Sequence, residues 1–430
     1  MIVLLALSAA HATEAKGFAE LRGSYAVGVD GRPWTLVQRV RPTVEVDLGE
    51  HVVLGTTVEA AVSEGRYLQD ELARTLQESD AGPMLELAGC SWPQVGNDVF
   101  HVDEASDVFL VDRLYVDVYS TKVDLRVGRQ ALQWGSAMMI NPTDPFPQVL
   151  FVEPWRFRAG VNAVRANIPF GTKSNQVQAV AAIDDTLTYG RAAVRGTVDV
   201  GGTDVSLMGA YRGDARSAIA GLDVKGTLGV GYWFEGAMHV DDLGADGTPT
   251  AWEEFAVGFD YSFPVGETLL VGAQYYRNGA GAADVDDYAL VARTSTGIAA
   301  PDCADPGVEQ ALSGGKTDAF APFFVGKDYA LAQVSFKATQ DLSFSAVGLQ
   351  NLRDGTGMAV PVVSVMPLAN LEIGGTAQVP YRMWGRRGEF KPAPQDLVMD
   401  LGSGLGGDLN VDLNGMVPDA TFTLWAKASF

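Results

Sequence analysis

The residues able to do acid–base, nucleophilic or metal chemistry are few and poorly spaced for it. Four histidines occur: His11, His51, His101 and His239. None belongs to an H-E-x-x-H pair and no G-x-S-x-G elbow is present, so zinc-protease and α/β-hydrolase chemistry lack their constellations. His101 with Asp103, or His239, could act as a general base in a hydrolase at a barrel rim. A solvated loop histidine gives the same pattern. Asp408, Asn410, Asp412 and Asn414, followed by Gly415, offer oxygens at alternate positions as a calcium loop does. The bidentate glutamate that should follow is missing, and an alternating strand produces the same spacing. Gly402-Ser403-Gly404-Leu405-Gly406-Gly407 fits G-x-G-x-x-G in form only, without a strand-to-helix context. No cofactor is expected, and no catalytic residue is assigned.

A second set of reactive groups, the charges, is better organised. Arg22, Arg39, Arg41, Arg113, Arg126, Arg191, Arg195, Lys337 and Lys427 fall on the polar faces of alternating segments. Glu20, Glu45, Asp47, Glu59, Asp117, Asp124, Asp199, Asp204, Glu235, Glu254 and Asp260 share those faces. The elements carrying them repeat about every ten residues with period 2. In 254–263, Phe255, Val257, Phe259, Tyr261 and Phe263 oppose Glu254, Ala256, Gly258, Asp260 and Ser262. In 228–240, Leu228, Val230, Tyr232, Phe234, Met238 and Val240 oppose Gly229, Gly231, Glu235, Ala237 and His239.

Such faces, one bulky and apolar, the other small and polar, fit strands with lipid outside and water or loops inside. The composition agrees: the chain is 47% apolar and 20% charged, yet no stretch nears the roughly 18 apolar residues of a spanning helix. The net charge of −22 argues against nucleic acid as a partner.

The alternation predicts about eighteen strands, at 17–28, 33–48, 50–63, 107–119, 121–132, 158–169, 174–183, 187–200, 202–212, 215–225, 228–240, 251–263, 267–277, 327–338, 340–351, 356–366, 370–383 and 418–430. Sixteen or twenty are compatible, because 408–414 also alternates. Every second connection is then short, such as Gly49, Ser120 and Gly201. The long ones, 64–106, 133–157, 241–250, 278–326 and 384–417, all fall at the other rim. That parity is expected of an all-β, up-and-down transmembrane antiparallel barrel.

The N-terminal MIVLLALSAAHA has a short apolar core and an A-x-A ending, so residues 1–12 read as a signal peptide and 13–430 as one barrel domain. Cys90 and Cys303 both lie in long loops, where they could pair in an oxidising compartment or stay as two thiols. The loop 64–107 is strongly acidic, and Leu68, Leu72 and Leu76 suggest a short amphipathic helix within it.

The most distinctive stretch is Arg126 to Pro147, RVGRQALQWGSAMMINPTDPFP. Its prolines stiffen the chain, and Asn141 and Asp144 favour turns, as suits a rigid loop folding inward. Gly128-Arg129-Gln130, Trp134-Gly135 and Asn141-Pro142-Thr143-Asp144 with Phe146 resemble a pattern in porin-like outer-membrane proteins of the alginate-export and exopolysaccharide-export type. The terminal strand, with Phe422, Leu424, Ala426, Ala428 and Phe430 on one face, resembles the signal read by the barrel assembly machinery.

The resemblance implies an outer-membrane location, contacts with lipid and lipopolysaccharide, and periplasmic export components as partners. The expected function is a channel for hydrophilic solutes, or the exit of a secreted polysaccharide. Rival readings are a plugged, partner-binding barrel and a surface hydrolase. Arg39, Arg41, Arg113, Arg126, Arg191, Arg195, Glu235 and Asp260 are the expected channel lining. Trp134, Asn141, Pro142, Asp144 and Phe146 form the expected constriction.

Overall fold

A computed structural model describes residues 13–29, 31–66, 108–138, 140–146, 157–171, 174–183, 190–213, 216–241, 243, 249–285, 325–385, 388–391, 398–400, 410–412 and 418–430. The strands are β1 (Thr13–Val27), β2 (Trp34–Gly49), β3 (Val52–Arg66), β4 (Val108–Val118), β5 (Asp124–Gln130), β6 (Val161–Pro169), β7 (Gln176–Ile183), β8 (Gly190–Val200), β9 (Thr203–Arg212) and β10 (Ser217–Thr227). There follow β11 (Gly231–Asp241), β12 (Thr250–Phe263), β13 (Thr268–Asn278), β14 (Asp328–Lys337), β15 (Leu342–Asn351), β16 (Thr356–Leu368), β17 (Leu371–Arg382), β18 (Val398–Asp400), β19 (Asn410–Asp412) and β20 (Ala420–Ser429).

Eighteen of these form one antiparallel sheet in which each strand pairs with its sequence neighbours. The sheet closes because β20 pairs with both β17 and β1. The last residue completes the seam: Phe430 N–H donates to Gly17 O at 3.0 Å and Gly17 N–H to Phe430 O at 2.9 Å. β18 and β19 make a separate two-stranded ribbon between β17 and β20. The expected count of eighteen is therefore the observed one, and the alternating 408–414 segment belongs to this ribbon instead of the wall.

Side-chain alternation sets the two faces. On β12, Phe259 is 53% exposed on the outside while Ala256 is fully buried on the inside. Phe234, Met238, Val194, Leu207 and Leu424 also point outward and are exposed. An outer surface of this kind is stable only in hydrocarbon, where a charge near the midplane would cost about 2–4 kcal/mol. Inside, large rings lie over glycines of the next strand. Trp233 covers Gly258, where a Cβ would collide with both the ring and Ala273 O.

The short connections lie at one rim and the long ones at the other. One short turn is longer than Ser120 alone. Residues 119–123 form it because the Ser120 hydroxyl donates to Val123 O at 2.7 Å and accepts Val123 N–H at 3.0 Å. The strand expected from 121 therefore starts at Asp124.

Candidate constriction and its charged walls

The segment between β5 and β6 turns into the lumen, and 140–146 is buried throughout. Gln130, at the end of β5, fastens the departure by donating to Ala163 O at 3.0 Å. Leu132, Trp134 and Phe146 then pack in an apolar cluster with Ala163, Ala182, Ala193, Met208, Ile219 and Ala237 on the inner faces of β6–β11. Small wall residues leave room for these large side chains. Trp134 and Phe146 meet edge to face at 5.3 Å. Further along, Ile140 enters a second cluster with Ala256, Tyr276, Tyr329, Leu331 and Leu349 on β12–β15.

Polar anchors fix the segment between the two clusters. Glu235 on β11 accepts the N–H groups of Ser136 and Ala137, and from Thr143 both the N–H at 3.2 Å and the hydroxyl at 2.8 Å. Ser136 Oγ donates to Asp223 on β10, whose other oxygen binds Arg195 at 2.5 Å. Gln274 on β13 accepts Met138 N–H at 2.8 Å. Arg158 holds the far end, donating to Asp144 Oδ2 at 2.7 Å and Leu132 O at 2.9 Å. Burial pushes the Asp144 carboxyl up to about 6 despite the neighbouring guanidinium.

Gly135 has φ +86°, and a Cβ there would lie 2.6 Å from Asn141 Oδ1 and 2.8 Å from Glu235 Oε2. Only glycine suits that backbone and that space. Gly135→Ala should therefore expose 131–146 to protease at least tenfold faster, a rough figure for one or two kcal/mol of strain, while the heat-stable barrel signal persists. Unchanged protection would show that the turn is not strained.

The opposite wall carries a ladder of alternating charge across β1–β4. Arg22, Glu20, Arg39, Glu59, Arg41 and Asp112 follow one another at 3.4, 2.8, 3.5, 2.7 and 2.5 Å. All six side chains are at most 8% exposed. Phe157 helps cover them, stacking on Phe18 at 5.5 Å with Arg41 4.5 Å over its ring. Lys427 lies 4.5 Å over Phe18. Asp112 joins because a bulge between Thr57 and Val58 shifts the register of β3 and β4 and turns both Asp112 and Arg113 inward.

The expected lining residues thus have unequal environments. Arg39 and Arg41 are on the lumen side but buried within ion pairs, and Glu235, fully buried, holds the inward segment instead of facing water. Arg126 makes a two-pronged pair with Asp117, both contacts 2.6 Å. Arg195 pairs with Asp223, while Arg113, Arg191 and Asp260 are only partly buried. The constriction residues Trp134, Asn141, Pro142, Asp144 and Phe146 are brought together in one buried turn.

The hydrolase candidate His239 faces inward, 4% exposed, flat against Trp252 at 3.8 Å and 3.0 Å from Glu254. His101, Asp103, Cys90, Cys303, Asp408, residues 1–12 and the acidic helix expected near 68–76 lie outside the described residues. Asn410 and Asp412 lie on β19; no group of three metal-ligating side chains occurs among the described residues.

Asp223, Gln274, Arg158 and Phe157 were not singled out by the sequence. Asp223 carries a signal, being on the polar face of its alternating segment. The others are defined only by what the inward segment touches.

A closed eighteen-stranded antiparallel barrel with a connection folded into its lumen defines the structural class of this chain. No protein-family model and no curated protein sequence matches it. Solved structures do share the fold. Pseudomonas aeruginosa OccK11 (OpdR) superposes with a TM-score of 0.54 at 11% identity, covering 97% of this chain and 96% of that one. Acinetobacter baumannii OccAB3 gives 0.51 at 11% identity, covering 97% and 99%. The outer membrane protein OprD from Pseudomonas aeruginosa gives 0.50 at 11% identity, covering 97% and 94%. At such identities the likeness is one of fold.

Proposed function

We propose that the chain is an outer-membrane channel for small hydrophilic solutes, with 131–146 as its constriction. The observation that carries this reading is the docking of that segment on the lumen wall through Glu235. A segment built to narrow a water-filled barrel needs a fixed position, and buried hydrogen bonds to a carboxylate supply one. The apolar exterior suits the lipid of an outer membrane, and the fold shared with OprD agrees with that location.

The charges of both walls are paired: Arg22, Arg39 and Arg41 alternate with Glu20, Glu59 and Asp112 on β1–β4, and Asp223, Glu254 and Asp328 on the other wall meet Arg195, His239 and Arg277. Export of a polysaccharide, implied by the resemblance at 128–146, is less well supported, because those very residues fill lumen space. Lipopolysaccharide outside and the assembly machinery at the β20 seam are the partners this reading entails.

Single-channel recording of the refolded protein tests it. Discrete conductance steps, with permeability falling sharply for larger neutral polymers, are expected. A folded barrel that never conducts would overturn the channel and favour a plugged, partner-binding one.

A further inference from the structure

We propose that Arg277 and Arg353 form a binding site for a lipid A phosphate on the outside of the barrel, at the long-loop rim. The proposal rests on the outer-membrane reading above and gives the outer-leaflet lipid a defined place on the wall. Side-chain alternation sets the level. On β12, Phe263, Tyr261, Phe259, Val257 and Phe255 point outward in turn, and the next outward residue is Glu253. From Phe263 to Phe255 a strand tilted by about 40° rises roughly 20 Å, most of the apolar band of about 25 Å in such barrels. Glu253 therefore opens the headgroup level.

The outward row at that level crosses three strands. Arg277 on β13 stands opposite Phe255 on one side and Asp328 of β14 on the other. It donates to Asp328 Oδ1 at 3.1 Å and to Glu253 Oε1 at 3.2 Å. Arg353, in the turn between β15 and β16, donates to Asp328 Oδ2, and Tyr275 Oη donates to Oδ1 at 2.5 Å. One carboxylate thus holds two guanidinium groups side by side. Its own side chain is 10% exposed, whereas Arg353 and Arg277 keep 40% and 27% exposed. Lys327, one residue before Asp328, adds a third cation and makes no ion pair with a described residue. Among the described residues, these three cations meet two carboxylates, Asp328 and Glu253.

Directly below lies an aromatic patch. Phe255 is 6.5 Å from Phe234 and 5.7 Å from Tyr275 between ring centroids. Rings at this boundary pack on acyl chains, and guanidinium groups bind phosphate through paired N–H bonds. A lipid that brings a phosphate and acyl chains to one place matches both halves. A phosphate monoester, as on lipid A, carries about −1.5 to −2 charge at neutral pH and answers the surplus better than a phosphodiester.

The test titrates the refolded barrel in detergent with diphosphoryl lipid A, phosphatidylglycerol and inorganic phosphate. The readout is melting temperature, since a ligand of the folded state raises it. Lipid A should stabilise the wild type, phosphatidylglycerol several-fold more weakly, and inorganic phosphate at equal concentration not at all. The double variant Arg277→Gln, Arg353→Gln should need about fivefold more lipid A, the order expected for two exposed charge-assisted contacts. Should that variant not fold, Arg353→Gln alone, in its exposed turn, should need about two- to threefold more. An unchanged lipid A response in these variants overturns the site. An equal response to phosphatidylglycerol or inorganic phosphate overturns the assignment to lipid A. Conductance of the same proteins separates the two readings. A conducting barrel whose lipid A response ignores both arginines loses this site alone. A barrel that does not conduct, yet responds to lipid A through them, keeps the site and loses the channel.

Discussion

Replacing Glu235 by alanine should free 131–146 from the wall and raise single-channel conductance, with all eighteen wall strands still paired. Four donors of the inward segment converge on this one carboxylate. Hydrogen bonds to a charged group are worth roughly 1.5–3 kcal/mol each, and water reaching the freed donors returns part of that. The net loss is on the order of several kcal/mol, enough to leave the segment undocked most of the time. The wall does not depend on it, because each strand pair has its own ladder of backbone bonds. Glu235→Gln separates charge from shape: its amide presents hydrogens to groups that are themselves donors, so it should also loosen the segment. Faster proteolysis between 131 and 146 with an unchanged far-ultraviolet spectrum is the expected signature. Equal conductance and equal protection would remove Glu235 as the anchor.

Raising the pH from 5 to 8 should loosen the same segment and the loop around Glu389. Asp144, buried, and Glu389, half-buried, are loop carboxylates, one in each of these two segments. Burial lifts Asp144 to about 6 and Glu389 to about 7. Glu389 keeps three donors, Tyr329 Oη at 2.6 Å, Asn351 Nδ2 at 2.9 Å and Val325 N–H at 3.0 Å, and the like charge of Asp354 adds to the upward push.

In the undocked chain both groups return to ordinary values near 3.8 and 4.5. The docked form then binds the proton more tightly. Its advantage is full below the ordinary values and is lost as pH rises through 6 for Asp144 and 7 for Glu389. Shifts of about two units correspond to something on the order of 3 kcal/mol each. Protease susceptibility or conductance measured from pH 4 to 9 should therefore rise with pH. Asp144→Asn should remove the lower step and Glu389→Gln the upper one. A trend in the opposite direction would mean that the ion pair with Arg158, not burial, governs docking.

Much of the architecture is legible in the residues because alternation is a local property. Phe255 to Phe263 define an outer face without reference to any other strand, and 34–49 does the same for β2. The inward turn at 131–146 is also legible, since prolines, Gly135 and Asn141 constrain the backbone locally. Asp112 marks the limit. Counting back by twos from Asp117 puts it outside, and only the bulge opposite Thr57 and Val58 brings it in. The same is true of the ribbon at 410–412, whose alternation resembles that of a wall strand until its pairing with 398–400 is known.

The sequence by itself determined the two faces and the rim that bears the long loops, and bounded the strand number near eighteen, because period-2 patterning and turn residues act within about ten neighbours; only the pairing of 410–412 with 398–400 settled the count. The tertiary structure alone decided which charges are spent. Glu235 and Ser136 are 99 residues apart in the chain, and Arg41 and Asp112 are 71 apart. No local pattern encodes such pairs; they follow from strand register and from the path of one loop through a closed cylinder. That path converts Glu235, Arg39 and Arg41 from a water-facing lining into anchors and a sealed ladder.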